Sequence, residues 1–531
     1  MIRTVRLALA LSVALPLAAY ASNPLVIKTN KGKVRGAYTT DKQVREFKGI
    51  PYAAPPVGDL RWQPPQPAAK WKGVRDATAF GNRCMQAPIY SDMRFRDPGP
   101  SEDCLNLNVW TPANAKKGKL PVMVWVFGGG YQAGGTSEWR QDGQFLAHRN
   151  VVVVSMNYRL GIFGFFVNSE LAAESPHHAS GNYGLMDQNA AIEWVQKNIA
   201  KFGGDPHNIT IFGESAGSMS VSSLMASPLS RGRFQHAIGE SGGAFFTGTR
   251  GMQPLEVREK KDADYARDVF GTSSLAELRK IPAAKMLDEM MKPGTPRSHF
   301  GVDVDGWFLP ESVHDIYAAG QQAHVPLLAG WNADEQRAEV IFANPQPTAQ
   351  SFKEWAEKEF GANAEEFLKL YPGETDAEAV LSAGDFASDN FIVYSTWRWL
   401  EAQVDTGNAP VYHYRFDLGG PGDKFHPKAI GAFHSDDIEY VFGTLDSRLG
   451  ATWRPEDYKL SNEIGEYWTN FARTGNPNGN DLPNWPTYGA PKWMVMHLNA
   501  TLEAKPDATR ARHEFLKKVW ETQPSATSPQ M

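Results

Sequence analysis

Apolar and polar side chains follow two patterns along this chain, one typical of strands and the other of helices. Residues 120–127 and 151–157 are almost continuously apolar, as strands buried on both faces of a parallel sheet are. Residues 25–35 and 43–47 instead alternate apolar and polar side chains, as antiparallel hairpin strands do. We therefore predict a mostly parallel central sheet with an antiparallel edge at the N-terminal side.

Helical periodicity separates the predicted strands. Residues 187–202 carry apolar side chains at three- and four-residue spacing and end at two glycines, which predicts a helix that packs on the sheet. Residues 254–293 and 351–403 are also mostly helical in pattern, and the short strands 326–330 and 411–416 follow them or lie between them. The fold class predicted is α/β, with helical insertions over the C-terminal edge of the sheet.

The length and composition favour one large enzyme-like domain. A chain of 531 residues with 42% hydrophobic residues can form a sizeable core around a single sheet. We assign this α/β domain to residues 22–522 and a flexible tail to residues 523–531, where Ser, Pro and Thr accumulate. The net charge is −5 and basic residues are not clustered, so a nucleic-acid partner is not expected.

The first 21 residues have the composition of a signal peptide. Arg3 and Arg6 precede an apolar run, and Ala19-Tyr20-Ala21 fits a cleavage site. The run is shorter than the roughly 20 residues that a membrane-spanning helix needs, so we do not expect a membrane anchor. The mature protein is predicted to be periplasmic or secreted.

Two cysteines, Cys84 and Cys104, bracket a segment rich in Pro, Asp and Arg. In an exported protein such a pair is expected to form a disulfide. For a loop of about 20 residues the chain-entropy estimate of the stabilisation is roughly 3 kcal/mol. We interpret the bridge as a structural cross-link that closes a surface loop, and not as a metal or redox site.

The strongest chemical signal is the segment 209–219, in which a β-branched run is followed by Gly-Glu-Ser-Ala-Gly and a helix-forming stretch. In a strand–turn–helix of this kind the serine is held on a sharp turn, where Gly213 and Gly217 allow the backbone to approach closely. Ser215 is therefore a candidate nucleophile, and the Ala216 amide a candidate oxyanion donor. The alternative is a serine that only caps the helix.

A second glycine-rich segment, Gly128-Gly129-Gly130, follows the predicted strand at 120–127. Glycines let backbone N–H groups approach a substrate oxygen, which favours an oxyanion hole. A phosphate-binding loop is the rival interpretation, but the spacing matches neither of the common glycine motifs. A flexible turn is the third possibility.

A serine hydrolase of this architecture needs an acid and then a histidine, both on loops at the C-terminal edge of the sheet. Asp334 and Glu335 adjoin the end of a predicted strand, and either one fits the acid. Among the histidines that follow, His426 and His434 lie on a loop. The others are placed by their patterns in strands or in a C-terminal helix: His413, His497 and His513. Position alone does not separate His426 from His434.

Several further motifs occur together with these residues in one order, so the chain resembles the type-B carboxylesterases, the cholinesterase-like family of the α/β-hydrolase fold. The similarity extends from about Val26 to about Trp493. The motifs that carry it are Phe-Lys-Gly-Ile-Pro-Tyr-Ala at 47–53, Pro-Pro-Val-Gly at 55–58, Ser-Glu-Asp-Cys-Leu-Asn-Leu-Asn at 101–108, Asn-Tyr-Arg at 157–159, and Phe-Gly-Gly-Asp-Pro at 202–206 leading into Gly-Glu-Ser-Ala-Gly.

The resemblance implies a role for each candidate residue. Its catalytic residues would be Ser215 as nucleophile, Glu335 as acid and His434 as base, which leaves Asp334 and His426 as bystanders. The oxyanion donors would be the amides of Gly129, Gly130 and Ala216, and Cys84–Cys104 would be the first disulfide of the family. The function implied is hydrolysis of small-molecule carboxylic esters through an acyl-serine, without a metal or an organic cofactor.

Some residues depart from the family pattern or keep two interpretations. Phe127 replaces the usual His or Tyr before the glycines, and Gln336 replaces the usual Gly after the acid. Choline-selective members of the family place a tryptophan in the loop at 85–103, where it holds the quaternary ammonium by cation–π attraction. This chain has none there, so the resemblance implies that choline esters are not preferred substrates. Glu214 either adds negative charge near the imidazolium or belongs to a hydrogen-bonded network.

Arg94 and Arg96, in the cysteine-bracketed loop, either attract an anionic ester or are solvated surface residues. Hydrolysis of amides, thioesters or carbonates is an alternative activity, because the same catalytic triad serves all of them. A non-catalytic adhesion or binding protein is the alternative from another class.

Overall fold

The computed structural model describes residues 23–246, 251–296, 300–342, 346–425, 431–479 and 481–521. The predicted signal peptide, the predicted tail and His426 lie outside these residues.

Within the described residues the strands form one large sheet and two small ones. In chain order they are β1 (Val26–Lys28), β2 (Lys33–Arg35), β3 (Ala37–Tyr38), β4 (Val44–Pro51), β5 (Val74–Asp76), β6 (Arg83–Cys84), β7 (Pro100–Ser101), β8 (Asn106–Pro112), β9 (Leu120–Val126), β10 (Val152–Met156), β11 (Gly204–Glu214), β12 (His236–Glu240), β13 (Leu327–Asn332), β14 (Val411–Phe416), β15 (Met494–Leu498) and β16 (Glu503–Pro506).

The large sheet is mostly parallel, as predicted. Its spatial order is β16-β15-β14-β13-β12-β11-β9-β10-β8-β4-β3, and every neighbouring pair from β15 to β10 is parallel. Strands β8, β4 and β3 form the predicted antiparallel edge. At the opposite edge β16 is also antiparallel, a hairpin that the sequence patterns did not indicate.

The hairpin predicted at 25–35 exists, but it does not belong to the antiparallel edge of the large sheet. Strands β1 and β2 pair with each other, and β2 pairs in parallel with β5 to close a separate three-stranded sheet. Each side of β4 in the large sheet is already occupied, by β3 and β8. The alternation identified the hairpin correctly, but it carries no information on which neighbour the hairpin joins.

The helices confirm the predicted insertions. They are α1 (Gln144–Ala147), α2 (Gly161–Phe165), α3 (Ser169–Glu174), α4 (Tyr183–Asn198), α5 (Ala216–Ala226), α6 (Leu255–Phe270), α7 (Leu275–Lys280), α8 (Ala283–Met291), α9 (Val313–Ala318), α10 (Ala349–Phe360), α11 (Ala364–Leu370), α12 (Asp376–Ser388), α13 (Tyr394–Thr406), α14 (Ile438–Phe442), α15 (Pro455–Thr474) and α16 (Arg510–Glu521).

Two predicted boundaries were wrong by a few residues. Helix α4 begins four residues before Asp187 and passes through a 3₁₀ turn to Phe202, because Asn182, in the left-handed region at φ 54°, sets the start of the helix. Strand β13 continues two residues past 330, since Trp331 and Asn332 still pair with β14. The strand at 411–416 has the predicted limits.

The order of the strands determines which loops meet. Strands β9, β11, β12 and β13 are successive parallel neighbours in the sheet, and they end at Val126, Glu214, Glu240 and Asn332. Because parallel strands have their carboxyl ends at one edge, the four loops that follow converge there. In the described residues no helix has the length and apolar character required to span a membrane.

Candidate active site

Ser215 occupies a sharp turn between β11 and α5. Its backbone lies at φ 55° and ψ −123°, a conformation that is costly for a residue with a Cβ and that clusters at functional sites. A Cβ on Gly213 would approach the Val126 carbonyl oxygen to 2.6 Å, and one on Gly217 would approach it to 2.0 Å. The two glycines are therefore required for the turn to pack against β9.

The imidazole of His434 joins the candidate nucleophile to a carboxylate. Its Nε2 lies 3.0 Å from Oγ of Ser215, and its Nδ1 lies 2.6 Å from Oε2 of Glu335. Ser215 is 8% exposed and Glu335 2%, whereas the His434 side chain is 24% exposed. The structure thus brings together the three residues that the family resemblance implies.

Two residues that the sequence reasoning missed hold the Glu335 carboxylate in place. Its Oε1 accepts a hydrogen bond from the backbone N–H of Asn332 at 2.7 Å and another from the Ser241 hydroxyl at 2.5 Å. Ser241 directly follows β12 and has φ 49°. Its position after a buried strand is the only sequence signal for it, and that signal emerges only once β12 is known to lie beside β13.

Asp334, the other candidate acid, binds the histidine loop and not the imidazole. Its backbone N–H donates to the Ala432 carbonyl at 2.9 Å, and its carboxylate accepts from the Ala432 amide at 3.0 Å. The side-chain amide of Asn332 donates to the Phe433 carbonyl at 2.8 Å. These contacts fix the backbone immediately before His434 against the end of β13.

The three remaining histidines that follow the candidate acids and lie in the described residues occupy the elements that their patterns predict. His413 lies in β14, His497 in β15 and His513 in α16. The His497 ring contacts Asp417, and the His513 ring contacts Asp389, so both have partners away from Ser215.

Several buried carboxyl groups surround the imidazole. Oε1 of Glu214 lies 3.3 Å from Nε2 of His434. Burial raises the pKa of Glu214 to about 8, and the nearby carboxylates of Asp437 and Glu335 act in the same direction. Burial, together with Glu335, also raises the pKa of Asp437 to about 7. Sequence reasoning gave no role to Asp437, whose carboxylate accepts from the Tyr414 hydroxyl at 3.1 Å.

This acidic environment controls the charge of the histidine. Burial by itself lowers the pKa of His434, but the carboxylates of Glu214 and Glu335 outweigh it and raise that pKa to about 9. The site therefore favours the imidazolium, the form that a general base reaches when it has accepted a proton.

The glycine-rich loop lies against the nucleophile turn. A Cβ on Gly128 would be 2.9 Å from Cβ of Ser215, and Gly129 and Gly130 have φ values of 99° and 61°. Among the described residues none accepts a hydrogen bond from the amides of Gly129, Gly130 or Ala216. Three backbone donors are thus available beside Ser215, as the oxyanion-hole interpretation requires.

Neither departure from the family pattern disrupts the site. Phe127 stacks on Tyr158 with ring centroids 4.4 Å apart, and the Tyr158 hydroxyl donates to the Phe127 carbonyl at 2.7 Å. The Gln336 amide donates to the Ser388 hydroxyl at 3.0 Å, and Gln336 is not among the residues with positive φ. An aromatic stack therefore supports the glycine loop, and the residue after Glu335 does not need to be glycine.

The structure contains the predicted Cys84–Cys104 disulfide. We refer to residues 84–104 as the disulfide loop. The glycine-rich loop continues from Gly128-Gly129-Gly130 to Gly134 and Gly135. The side-chain amide of Gln86 binds Gly134 twice, donating to its carbonyl at 2.6 Å and accepting from its N–H at 2.9 Å. A Cβ on Gly129 would lie 3.2 Å from Cε of Met93. The disulfide loop therefore forms part of the wall of the site.

The two arginines of the disulfide loop have structural partners. The guanidinium of Arg94 donates to the Ser447 carbonyl at 2.8 Å. Arg96 donates to the Asp142 carboxylate at 2.6 Å and lies over the Trp139 ring. Both guanidinium groups thus bind the disulfide loop to neighbouring segments. These contacts favour neither attraction of an anionic ester nor a solvated surface position.

No group of three or more His, Cys, Asp and Glu side chains among the described residues is arranged to hold a metal ion. The site as described consists of protein groups that accept, donate and hold protons.

Comparison with known proteins agrees with this geometry. A family model described as the carboxylesterase family matches residues 23–516. A fumonisin B1 esterase of Sphingopyxis macrogoltabida is 37% identical, with 90% of this chain and 87% of that protein aligned. A para-nitrobenzyl esterase of Bacillus subtilis (strain 168) is 36% identical, with 93% and 99% aligned. A solved PNB esterase structure has a TM-score of 0.79 at 34% identity, covering 95% of this chain and 100% of that one.

These similarities span nearly the whole length of the relatives and include their fold. The resemblance drawn from the motifs is confirmed, and so is the α/β-hydrolase architecture. The chain belongs to the carboxylesterase family and is a carboxylic ester hydrolase.

Proposed function

We propose that this protein is an exported serine carboxylesterase that works through an acyl-serine intermediate. Ser215 is the nucleophile, His434 the general base and Glu335 the acid that orients it. The observation that carries the proposal is the continuous chain of contacts from Ser215 Oγ to His434 Nε2 at 3.0 Å and from His434 Nδ1 to Glu335 at 2.6 Å.

The first half-reaction forms the acyl-enzyme. Oγ of Ser215 attacks the ester carbonyl carbon while Nε2 of His434 takes the hydroxyl proton. The carbonyl oxygen becomes an oxyanion, which the amides of Gly129, Gly130 and Ala216 stabilise as hydrogen-bond donors. When the tetrahedral intermediate collapses, the C–O bond to the alcohol breaks and the leaving oxygen receives the proton from His434.

The second half-reaction releases the acid. Water attacks the acyl carbon and His434 accepts its proton, so that the oxyanion forms again in the same place. The bond to Oγ then breaks, Ser215 recovers its proton, and the carboxylic acid leaves. Glu335 orients the imidazole throughout, because its carboxylate is itself held by hydrogen bonds from the Asn332 backbone N–H and the Ser241 hydroxyl.

Esters are the substrate class that the comparisons favour over amides, thioesters or carbonates. The relatives carry the names of a para-nitrobenzyl esterase and a fumonisin B1 esterase. The absence of a tryptophan from residues 85–103 favours uncharged ester alcohols over choline.

Export is part of the proposal. The charged and apolar residues of 1–21 support a signal peptide, and the Cys84–Cys104 bridge fits an oxidising compartment. Fractionation of cells that express the full chain, with N-terminal sequencing of the product, tests this proposal. A mature protein that begins near residue 22 is expected, and an uncleaved cytoplasmic product contradicts export.

Labelling with a fluorophosphonate probe tests the catalytic proposal. The wild-type protein should be labelled on the peptide that contains Ser215, and p-nitrophenyl acetate should protect it. Ser215→Ala should lose the label and nearly all esterase activity, with only about 10³- to 10⁴-fold catalysis over water remaining. Labelling of another residue, or near-normal turnover by Ser215→Ala at unchanged melting temperature, overturns the assignment.

A further inference from the structure

The glycine-rich loop folds back on itself beside the nucleophile turn. The carbonyl of Gly129 accepts hydrogen bonds from the backbone amides of Gln132 at 2.9 Å and Ala133 at 3.1 Å. A Cβ on Gly134 would lie 2.8 Å from the carbonyl oxygen of Gly128, so Gly134 packs directly on the first residue of the loop. The position of Gly134 therefore affects the backbone that carries the oxyanion donors.

One side chain bonds to both backbone polar groups of Gly134. The amide nitrogen of Gln86 donates to the Gly134 carbonyl at 2.6 Å, and the amide oxygen of Gln86 accepts from the Gly134 N–H at 2.9 Å. The same nitrogen donates to the carbonyl of the disulfide-bonded Cys84 at 3.0 Å. Gln86 is 7% exposed, and within the described part of the chain no backbone group bonds to Gly134. The hold on Gly134 thus comes from Gln86.

The geometry of Gly134 explains why a side-chain amide suits this position. A glutamine amide offers an N–H donor and a carbonyl acceptor side by side, and the backbone of Gly134 presents the complementary pair. Gly134 has φ 127° and no room for a Cβ, since one would approach the Phe127 ring to 2.4 Å. Loss of the Gln86 amide would leave two buried polar groups without a partner, which favours rearrangement of the loop.

We propose that Gln86 is a positioning residue of the oxyanion hole. It acts through Gly134 and keeps the amides of Gly129 and Gly130 directed at the oxygen of the reacting carbonyl. The proposal rests on the function proposed above, which assigns those amides to the oxyanion. Because the oxyanion forms in both half-reactions, a displaced loop slows acylation and deacylation alike.

Two substitutions of Gln86 test this role. Gln86→Met has a similar volume and removes both bonds to Gly134, whereas Gln86→Glu keeps the shape and the bond accepted from the Gly134 N–H. Removal of one oxyanion donor lowers kcat by about 10²- to 10³-fold, and displacement of a donor should lower it by less. We expect kcat for p-nitrophenyl acetate to fall by roughly tenfold to a hundredfold in Gln86→Met and by a smaller factor in Gln86→Glu, with KM changed by less than about twofold.

A transition-state analogue separates positioning from a general loss of structure. Oγ of Ser215 adds to the carbonyl carbon of phenyl trifluoromethyl ketone, His434 takes the hydroxyl proton, and the ketone oxygen becomes an oxyanion in the same place as in ester hydrolysis. The inhibition constant in each variant should therefore rise by about the same factor as kcat/KM falls. The acid limb of the pH profile should keep its wild-type midpoint, since the hydrogen-bond partners of Gln86 are Gly134 and Cys84 and not the triad.

Gln322→Met is the matched control for the loss of a buried amide. Gln322 is 3% exposed, and its side-chain nitrogen donates to the hydroxyl of Thr406 on α13 at 2.8 Å. This variant should have a lower melting temperature and an unchanged kcat and inhibition constant. Circular dichroism and thermal unfolding of all three variants ensure that the kinetic values refer to folded protein.

The proposal is overturned if kcat of folded Gln86→Met and Gln86→Glu stays within about twofold of the wild type, or if the inhibition constant does not change together with kcat/KM. A shifted acid limb also overturns it, because the effect then lies on the triad, and so does an equal loss of kcat in Gln322→Met. Failure of the proposed function is seen separately, as a wild-type protein that fluorophosphonate does not label at Ser215 or as normal turnover by Ser215→Ala.

Discussion

The Glu214 carboxylate lies 3.3 Å from Nε2 of His434, the same nitrogen that faces the Ser215 hydroxyl at 3.0 Å. The imidazole thus has a carboxyl group beside each of its two nitrogens, since Glu335 occupies the other side. This relationship raises the pKa of His434 to about 9, above that of an ordinary imidazole. It has a direct consequence for the dependence of catalysis on pH.

Only the neutral imidazole accepts the Ser215 proton, so kcat/KM should fall as the pH decreases through the pKa of His434 in the free enzyme. Because that pKa is raised, the acid limb of the profile should have its midpoint above 6.5. Glu214→Gln removes the charge that contributes most to the upward shift, and it should move the limb to lower pH by about one unit. The measurement is kcat/KM for p-nitrophenyl acetate across pH 5 to 10.

Glu256→Gln is the control for this shift, because Glu256 is an exposed carboxylate on α6. It should leave the profile unchanged. If Glu214→Gln has the same acid limb as the wild type, Glu214 carries no charge in this range and belongs only to the hydrogen-bonded network.

Replacing the proposed base should be as damaging as replacing the nucleophile. His434→Ala should reduce kcat about as much as Ser215→Ala, since members of a triad act as a unit. His426→Ala should have little effect on turnover. Steady-state kinetics on one ester with each purified variant decides between the two histidines, and the reverse ranking assigns the base to His426.

The hydroxyl of Ser241 should contribute to catalysis through Glu335. Ser241→Ala removes one of the hydrogen bonds that hold the Glu335 carboxylate. A hydrogen bond to a charged group contributes about 1.5 to 3 kcal/mol, so kcat should fall by roughly tenfold or more with KM nearly unchanged. Ser223→Ala is the matched control, because Ser223 is buried on α5 and its hydroxyl donates to the Met219 carbonyl of its own helix at 2.8 Å. A rise in KM with kcat unchanged contradicts an orienting role.

The disulfide should affect both stability and the binding of large substrates. Cys84→Ser should lower the free energy of unfolding by less than about 3 kcal/mol, because such bridges act mainly on the unfolded chain and often deliver less than the entropic estimate. It should also raise KM for bulky esters more than for an acetyl ester, since Gln86 and Met93 place the disulfide loop against the glycine-rich loop. Denaturant unfolding and paired KM measurements check the two effects. An equal rise in KM for small and bulky esters contradicts the second expectation.

Local patterns in the sequence sufficed for the parts of the site that are built within a few residues. The Gly-Glu-Ser-Ala-Gly turn was predicted because a sharp strand-to-helix turn requires small residues, and in the structure Gly213 and Gly217 approach the Val126 carbonyl closely. The glycine-rich loop was predicted in the same way. The buried strand at 120–127 and the helix at 187–202 also follow from periodicity, which burial imposes on neighbouring side chains.

The acid and the base could not be assigned by local pattern, because they come from distant parts of the chain. His434 is 99 residues from Glu335 and 219 residues from Ser215. Position in the sequence left Asp334 and Glu335, and His426 and His434, as alternatives, and the family resemblance selected among them. In the structure the carboxylate of Glu335 faces the imidazole of His434, whereas that of Asp334 faces the backbone of Ala432.

The sequence by itself thus determined the fold class, the turn that carries Ser215 and the loop that offers the backbone donors, since each depends on sterics and periodicity within a short segment. Only the tertiary structure brought Ser241 to Glu335, Glu214 to His434 and the disulfide loop to the glycine-rich loop. Those contacts depend on which parallel strands are neighbours and on how side chains from separate loops pack, and neither is encoded in a local pattern.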